Sequence, residues 1–95
     1  MLVGYVYMLA SKRNGTLYTG FTNNLYGRVH AHRQGKASAF TAKYNITMLV
    51  WYEEHECVTS AIQRETNIKR WKRAWKLALI EKDNPHWLDL FVGML

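Results

Sequence analysis

Cysteine and proline are almost missing from this chain: Cys57 and Pro85 are the only residues of their kinds among 95. One thiol can form neither an internal disulfide nor a multi-cysteine zinc site, because both need partners. The expected compartment is therefore a reducing cytoplasm. No apolar run approaches the ~20 residues that span a bilayer. Met1-Leu2-Val3-Gly4-Tyr5 also lacks a basic leader followed by an apolar stretch, so neither export nor membrane insertion is expected. A glycine-rich phosphate loop, a His-Glu-x-x-His pair and paired-cysteine spacing are all missing, which leaves the site classes those motifs mark poorly supported. Acids are scarce as well. Seven Asp and Glu face 13 Lys and Arg, for a net charge of +6 and a pI near 9.7, and a polyanion is the partner that balance favours.

What the chain does contain is enough for a globular fold. It is 48% hydrophobic and 21% charged, near the globular average, so disorder is a poor reading. Its length predicts a single domain over 1–95, with 84–95 as an apolar C-terminal segment packing back on it. The positive charge is concentrated. Arg64, Lys69, Arg70, Lys72, Arg73 and Lys76 fall in one stretch against the single acid Glu65. Such a run is either a solvated helix face or a nucleic-acid contact, with Lys69, Lys72, Arg73 and Lys76 as its candidates.

Val3 to Leu9, rich in Val and Tyr, reads as a strand, and Asn14-Gly15 predicts a type I′ reversal into a second strand over Thr16 to Phe21. Alternation then puts Tyr7 and Tyr18 on one surface of an antiparallel hairpin. Gly20, late in its strand, requires either a bend or something that must approach the backbone. Asn23 or Asn24 caps a helix over Leu25 to Arg33 that stops at Gly35, with Arg28 and His32 on one face. Lys36 to Asn45 shows no period and reads as a loop or a short helical turn. Thr47 to Tyr52, apolar on both faces, is expected to be a central strand. A helix is predicted from Thr59-Ser60, with Ser60 and Gln63 at capping-box spacing, to about Ile80, its inward stripe being Ala61, Ile68, Trp75 and Leu79. Asp83-Asn84-Pro85 ends it.

Glu65 falls within that stripe. A carboxylate turned inward needs compensation, either from Lys69 one turn later or from a hard divalent ion such as Mg²⁺ or Mn²⁺. Arg28 is suited to a phosphate, or is simply a surface arginine. His32 beside it can relay a proton, hold a neighbour, or merely pack. Tyr7 and Tyr18 taken singly fit ordinary strand packing, and a phenol of pKa near 10 is a poor base at neutral pH. Arg28 and a bound metal are expected to favour the phenolate.

Together these residues resemble a known pattern. Tyr5-Val6-Tyr7, ten intervening residues, Tyr18-Thr19-Gly20, then Arg28, His32 and Glu65 resemble the GIY-YIG nuclease domain. Ala61 to Leu79 and Asn84-Pro85-His86-Trp87 are similar to its small bacterial YhbQ-like branch. The resemblance implies an α+β fold, a small three-stranded antiparallel sheet flanked by helices, and metal-dependent hydrolysis of DNA. It implies Tyr7 as general base, directly or through water, Tyr18 as positioner of nucleophile or phosphate, Arg28 on the phosphoryl oxygens and Glu65 on a single Mg²⁺ or Mn²⁺. His32 stands where the family carries a tyrosine or histidine, and Asn84 is the loosest match. Tyr5, Val6 and Thr19 depart conservatively from the motif, and Phe21 replaces a lysine of the repair subunit in this family. A non-catalytic nucleic-acid-binding module on the same fold is the alternative function. A third reading makes the Trp87-to-Leu95 tail a protein-docking surface.

Overall fold

Every residue of the first strand, β1 (Gly4–Ala10), is buried except the half-buried Tyr5, because its side chains alternate into two separate apolar clusters. A computed structural model describes residues 3–95; Met1 and Leu2, part of the stretch read above for a leader, lie outside the described residues. β1 pairs antiparallel with β2 (Leu17–Thr22) on one side and β3 (Met48–His55) on the other, giving the order β2-β1-β3. The fold is α+β, a three-stranded antiparallel sheet flanked by helices. No described helix is long and apolar enough to cross a membrane.

The central strand is β1, not the Thr47-to-Tyr52 run expected in that place. β3 is apolar on both faces for another reason. The C-terminal segment covers its outer edge: Leu90 N–H donates to Leu49 C=O at 2.8 Å, the Asp89 carboxylate accepts from Leu49 N–H at 3.2 Å, and Asn84 Nδ2 donates to Val50 C=O at 3.0 Å. A covered edge reads like an interior strand. The same segment sends Trp87 and Phe91 inward and leaves Leu88, Val92 and Leu95 exposed.

On one face of the sheet Val6, Met8 and Ala10 meet Ala61 and Ile68 of α3 (Val58–Lys69), Ile80 of α4 (Arg73–Asp83), and Trp87. On the other, Tyr7 and Leu9 meet Leu25 and Val29 of α1 (Leu25–Arg33), Ile46 and Phe91. Each fully buried aliphatic side chain contributes about 1.5–3 kcal/mol, so both clusters are needed in so short a chain.

Three local expectations are corrected. The β1–β2 reversal spans four residues, closed by Ser11 N–H to Thr16 C=O at 3.1 Å, and only Asn14 (φ 57°) takes a left-handed backbone, so it is not type I′. The wider loop offers the Asn14 and Gly15 carbonyls to Arg73, at 2.8 and 2.7 Å. The long helix is two helices. The chain breaks at Arg70-Trp71-Lys72, where half-buried Trp71 packs on the core beneath the Arg64 guanidinium and Lys72 becomes extended (ψ 155°). The turn rotates Trp75 out of the predicted stripe to 53% exposure. The expected capping box does not form: Cys57 occupies the N-cap position of α3 without a side-chain cap bond, Ser60 Oγ donates to Cys57 C=O, and Gln63 bonds Asn67.

α1 keeps its predicted bounds. Asn24 Oδ1 accepts from Gly27 N–H at 3.1 Å at one end. At the other, Gly35 takes φ 72° while its N–H reaches His32 C=O and Lys36 N–H reaches Ala31 C=O, closing the helix as glycine at that position favours. The segment after it contains α2 (Ala39–Lys43), capped by Ser38 Oγ accepting from Thr41 N–H.

Candidate active site

The β1–β2 register sets Tyr7 opposite Gly20 and Leu9 opposite Tyr18, so both tyrosines project from one face. Their ring centroids are 6.3 Å apart. The Tyr7 ring lies across the space a side chain at position 20 would fill: a Cβ there would stand 2.5 Å from both Cζ and Oη of Tyr7. The Tyr7 phenol is thus one group that approaches the Gly20 backbone.

α1 supplies the next layer. His32, one turn after Arg28, is 1% exposed, and its Nε2 lies 3.0 Å from Tyr7 Oη. Its Nδ1 lies 2.8 Å from Thr41 Oγ1 on α2. The imidazole also sits 5.2 Å from the Tyr18 ring centroid, so three rings close around one point. His30, on another face of the helix, stacks on Tyr26.

The protonation states follow from these surroundings. Burial, followed by the Arg28 charge, lowers the His32 pKa from 6.5 to about 4, so the imidazole is neutral at pH 7. Tyr7 is pushed above its ordinary value of 10, by burial first and then by Tyr18, with Glu65 adding to the rise; Arg28 opposes it. Arg28 alone, without the bound metal expected beside it, does not favour the phenolate. Desolvation outweighs the guanidinium, and Tyr7 remains a phenol with a proton to donate.

Arg28 and Glu65, from α1 and α3, act with opposite signs on that single phenol. Arg28 is exposed, has no carboxylate partner among the described residues, and opens onto a cleft lined by Thr22, Asn23, Asn24, Gly27 and Lys36, with no acid in its lining. Glu65 is half-buried, and its carboxylate holds Lys69 Nζ at 3.3 Å. That ammonium shows where the acid accepts a cation. Among the described residues no group of three or more His, Cys, Asp or Glu gathers to hold a metal. Glu65 alone offers a hard divalent ion one carboxylate, so phosphate and water would have to complete its shell.

Tyr18, Arg28, His32 and Glu65 thus each act on Tyr7, although they are distant in sequence. Asn84 does not join them. Its amide donates to Val50 and Leu88 carbonyls, at 3.0 and 2.9 Å, and accepts from Leu88 N–H, which fixes the C-terminal segment to β3. The basic stretch is also partly engaged. Lys69 pairs with Glu65 and Arg73 holds the β1–β2 loop, while exposed Lys72 lies over the Trp75 ring at 5.0 Å and Lys76 is half-buried. Three residues close to the site escaped the sequence reading: Thr41, Ser38 and Lys36. The Ser-x-x-Thr spacing of 38 and 41, which marks a capped helical turn, was the available signal.

Comparison with known proteins agrees with this architecture. The family model described as the GIY-YIG catalytic domain matches residues 3–78. A UPF0213 protein of Syntrophus aciditrophicus is 40% identical over 86 residues, covering 90% of this chain and 97% of that one. A UPF0213 protein of Staphylococcus haemolyticus is 37% identical over 78 residues, covering 82% and 94%. The solution structure of a UPF0213 protein from Bacillus halodurans superposes with a TM-score of 0.58 at 25% identity, over 92% of each chain. Family match, relatives and fold agree: the chain belongs to the GIY-YIG catalytic domain family, in its small bacterial UPF0213, or YhbQ-like, branch.

Proposed function

We propose that this chain is a divalent-metal-dependent endonuclease that hydrolyses DNA phosphodiester bonds, directed by structure or damage rather than by sequence. The observation that carries this reading is the buried Tyr7 phenol, 3.0 Å from the neutral His32 Nε2 and beside an Arg28 free to take a phosphate. A water attacking phosphorus gives its proton to Tyr7 Oη as Tyr7 passes its own to His32 Nε2. The phenol need never ionise in water. As the new P–O bond forms, one ester P–O bond breaks, and the departing alkoxide takes a proton from solvent.

Arg28 neutralises the phosphoryl oxygens with two donors. It has a second effect. Its charge contributes to the low basicity of His32, and a phosphodiester seated on the guanidinium offsets that charge, so the imidazole becomes a better proton acceptor once substrate is bound. Tyr18 orients the water or the phosphate from the same face. Glu65 would hold the ion, which when bound supplies positive charge to the phosphoryl and leaving oxygens. Lys72 and its basic neighbours would contact the backbone without reading bases.

The alternative, a binding module without turnover, draws on the Lys69–Glu65 pair, which already neutralises the acid. Metal dependence separates the two readings. Glu65→Gln is expected to abolish Mg²⁺- or Mn²⁺-dependent nicking of supercoiled DNA while leaving DNA affinity nearly unchanged. Equal activity in both proteins would reject Glu65 as the metal anchor.

A further inference from the structure

The geometry points to Thr41 as a positioning residue that fixes which nitrogen of His32 carries the proton, presenting Nε2 as a bare acceptor to the Tyr7 hydroxyl. Three contacts in series carry the argument. Thr41 Oγ1 lies 3.2 Å from Ser38 C=O, His32 Nδ1 lies 2.8 Å from Thr41 Oγ1, and Tyr7 Oη lies 3.0 Å from His32 Nε2. A carbonyl only accepts, so it orients the chain. Thr41 donates its single proton to Ser38 C=O and offers His32 a lone pair, His32 therefore holds its proton on Nδ1, and Tyr7 donates to Nε2.

The opposite order serves the protons less well. With the proton on Nε2, His32 would donate to the Tyr7 oxygen, the phenol hydrogen would turn to the neighbouring Tyr18, and Thr41 would have to donate to Nδ1 and leave Ser38 C=O without its hydroxyl donor. Thr41 is fully buried and His32 nearly so, which keeps water from exchanging the two arrangements. α2, only five residues long, is held in register by the same Ser38, whose Oγ accepts from Thr41 N–H at 3.3 Å. A helix too short to stabilise itself thus positions a buried hydroxyl against an imidazole. The catalytic consequence rests on the nuclease reading above; the tautomer does not.

The test is the ring ¹⁵N spectrum of His32 at pH 7, assigned by comparison with His32→Gln. Wild type is expected to show a protonated Nδ1 and an unprotonated Nε2. Thr41→Val, close to isosteric, should abolish that single-tautomer signature and lower kcat for metal-dependent nicking roughly 10²-fold, the lower range of general-base catalysis, with KM unchanged. Thr41→Ser keeps the hydroxyl and should restore both. A wild-type ring protonated on Nε2 would overturn the proposal, whatever the Thr41 variants do. So would a Thr41→Val protein with an unaltered spectrum. A Thr41-dependent tautomer in a wild-type protein that cuts no DNA would support the positioning role and reject the nuclease reading.

Discussion

Tyr7 occupies the volume that a side chain at Gly20 would need: the two residues face each other across the β1–β2 ladder, and a Cβ at position 20 would come within 2.5 Å of the phenol oxygen. The atoms it would strike belong to the reactive end of Tyr7. Gly20→Ala must therefore swing the phenol away from His32 or spread the two strands. The expected result is loss of metal-dependent nicking with the fold retained at a cost of about 1–3 kcal/mol, the usual penalty for overpacking. Urea unfolding and a plasmid-nicking assay on the same preparation check it. A Gly20→Ala protein with full activity would mean that Tyr7 can leave this position without consequence.

Burial of a neutral His32 makes stability depend on pH. Its pKa is about 4 in the fold against 6.5 when unfolded, so the unfolded chain binds the proton first as pH falls. The contribution is complete above pH 6.5 and lost between 6.5 and 4, amounting to roughly 3 kcal/mol in full. Urea unfolding at steps from pH 7 to 4 should show this extra loss in wild type and not in His32→Gln. Parallel curves would show that the imidazole is not held neutral.

Lys72 and Arg73 are neighbours with different surroundings. Arg73 donates to two loop carbonyls, whereas Lys72 is exposed over Trp75. Lys72→Ala is expected to weaken DNA binding and to flatten the dependence of log affinity on log salt by about one unit, the signature of one lost phosphate contact. Arg73→Ala should lower the unfolding free energy by about 0.5–1.5 kcal/mol, the net worth of hydrogen bonds to exposed carbonyls that water can take over. Equal salt slopes in wild type and Lys72→Ala would place the backbone contact elsewhere.

The hairpin, α1 with both its caps, and the meeting of Tyr7 with Tyr18 were legible because each rests on local chemistry: alternation in strands, Asn24 before a helix, Gly35 after it. What was not legible came from contacts between distant segments. The α3–α4 break has no proline or glycine to announce it and depends on Trp71 packing inward and Arg73 reaching a loop 58 residues earlier. β3 looked central because the C-terminal segment covers its edge, a pairing that a strand-level pattern does not contain. Within the site, residue types indicated the chemistry but not the protonation of Tyr7, which burial decides against the nearby Arg28.

In the proposed reaction the Tyr7 hydroxyl is the atom that takes the proton from water. Tyr7→Phe removes one oxygen from a buried ring and leaves the packing around Gly20 in place. Nicking of supercoiled DNA by this variant, with Mg²⁺ or Mn²⁺ and with a chelator control, is expected to fall by roughly 10²–10⁴-fold, while DNA affinity measured in chelator stays at the wild-type value. Metal-dependent cutting by Tyr7→Phe at the wild-type rate would contradict it.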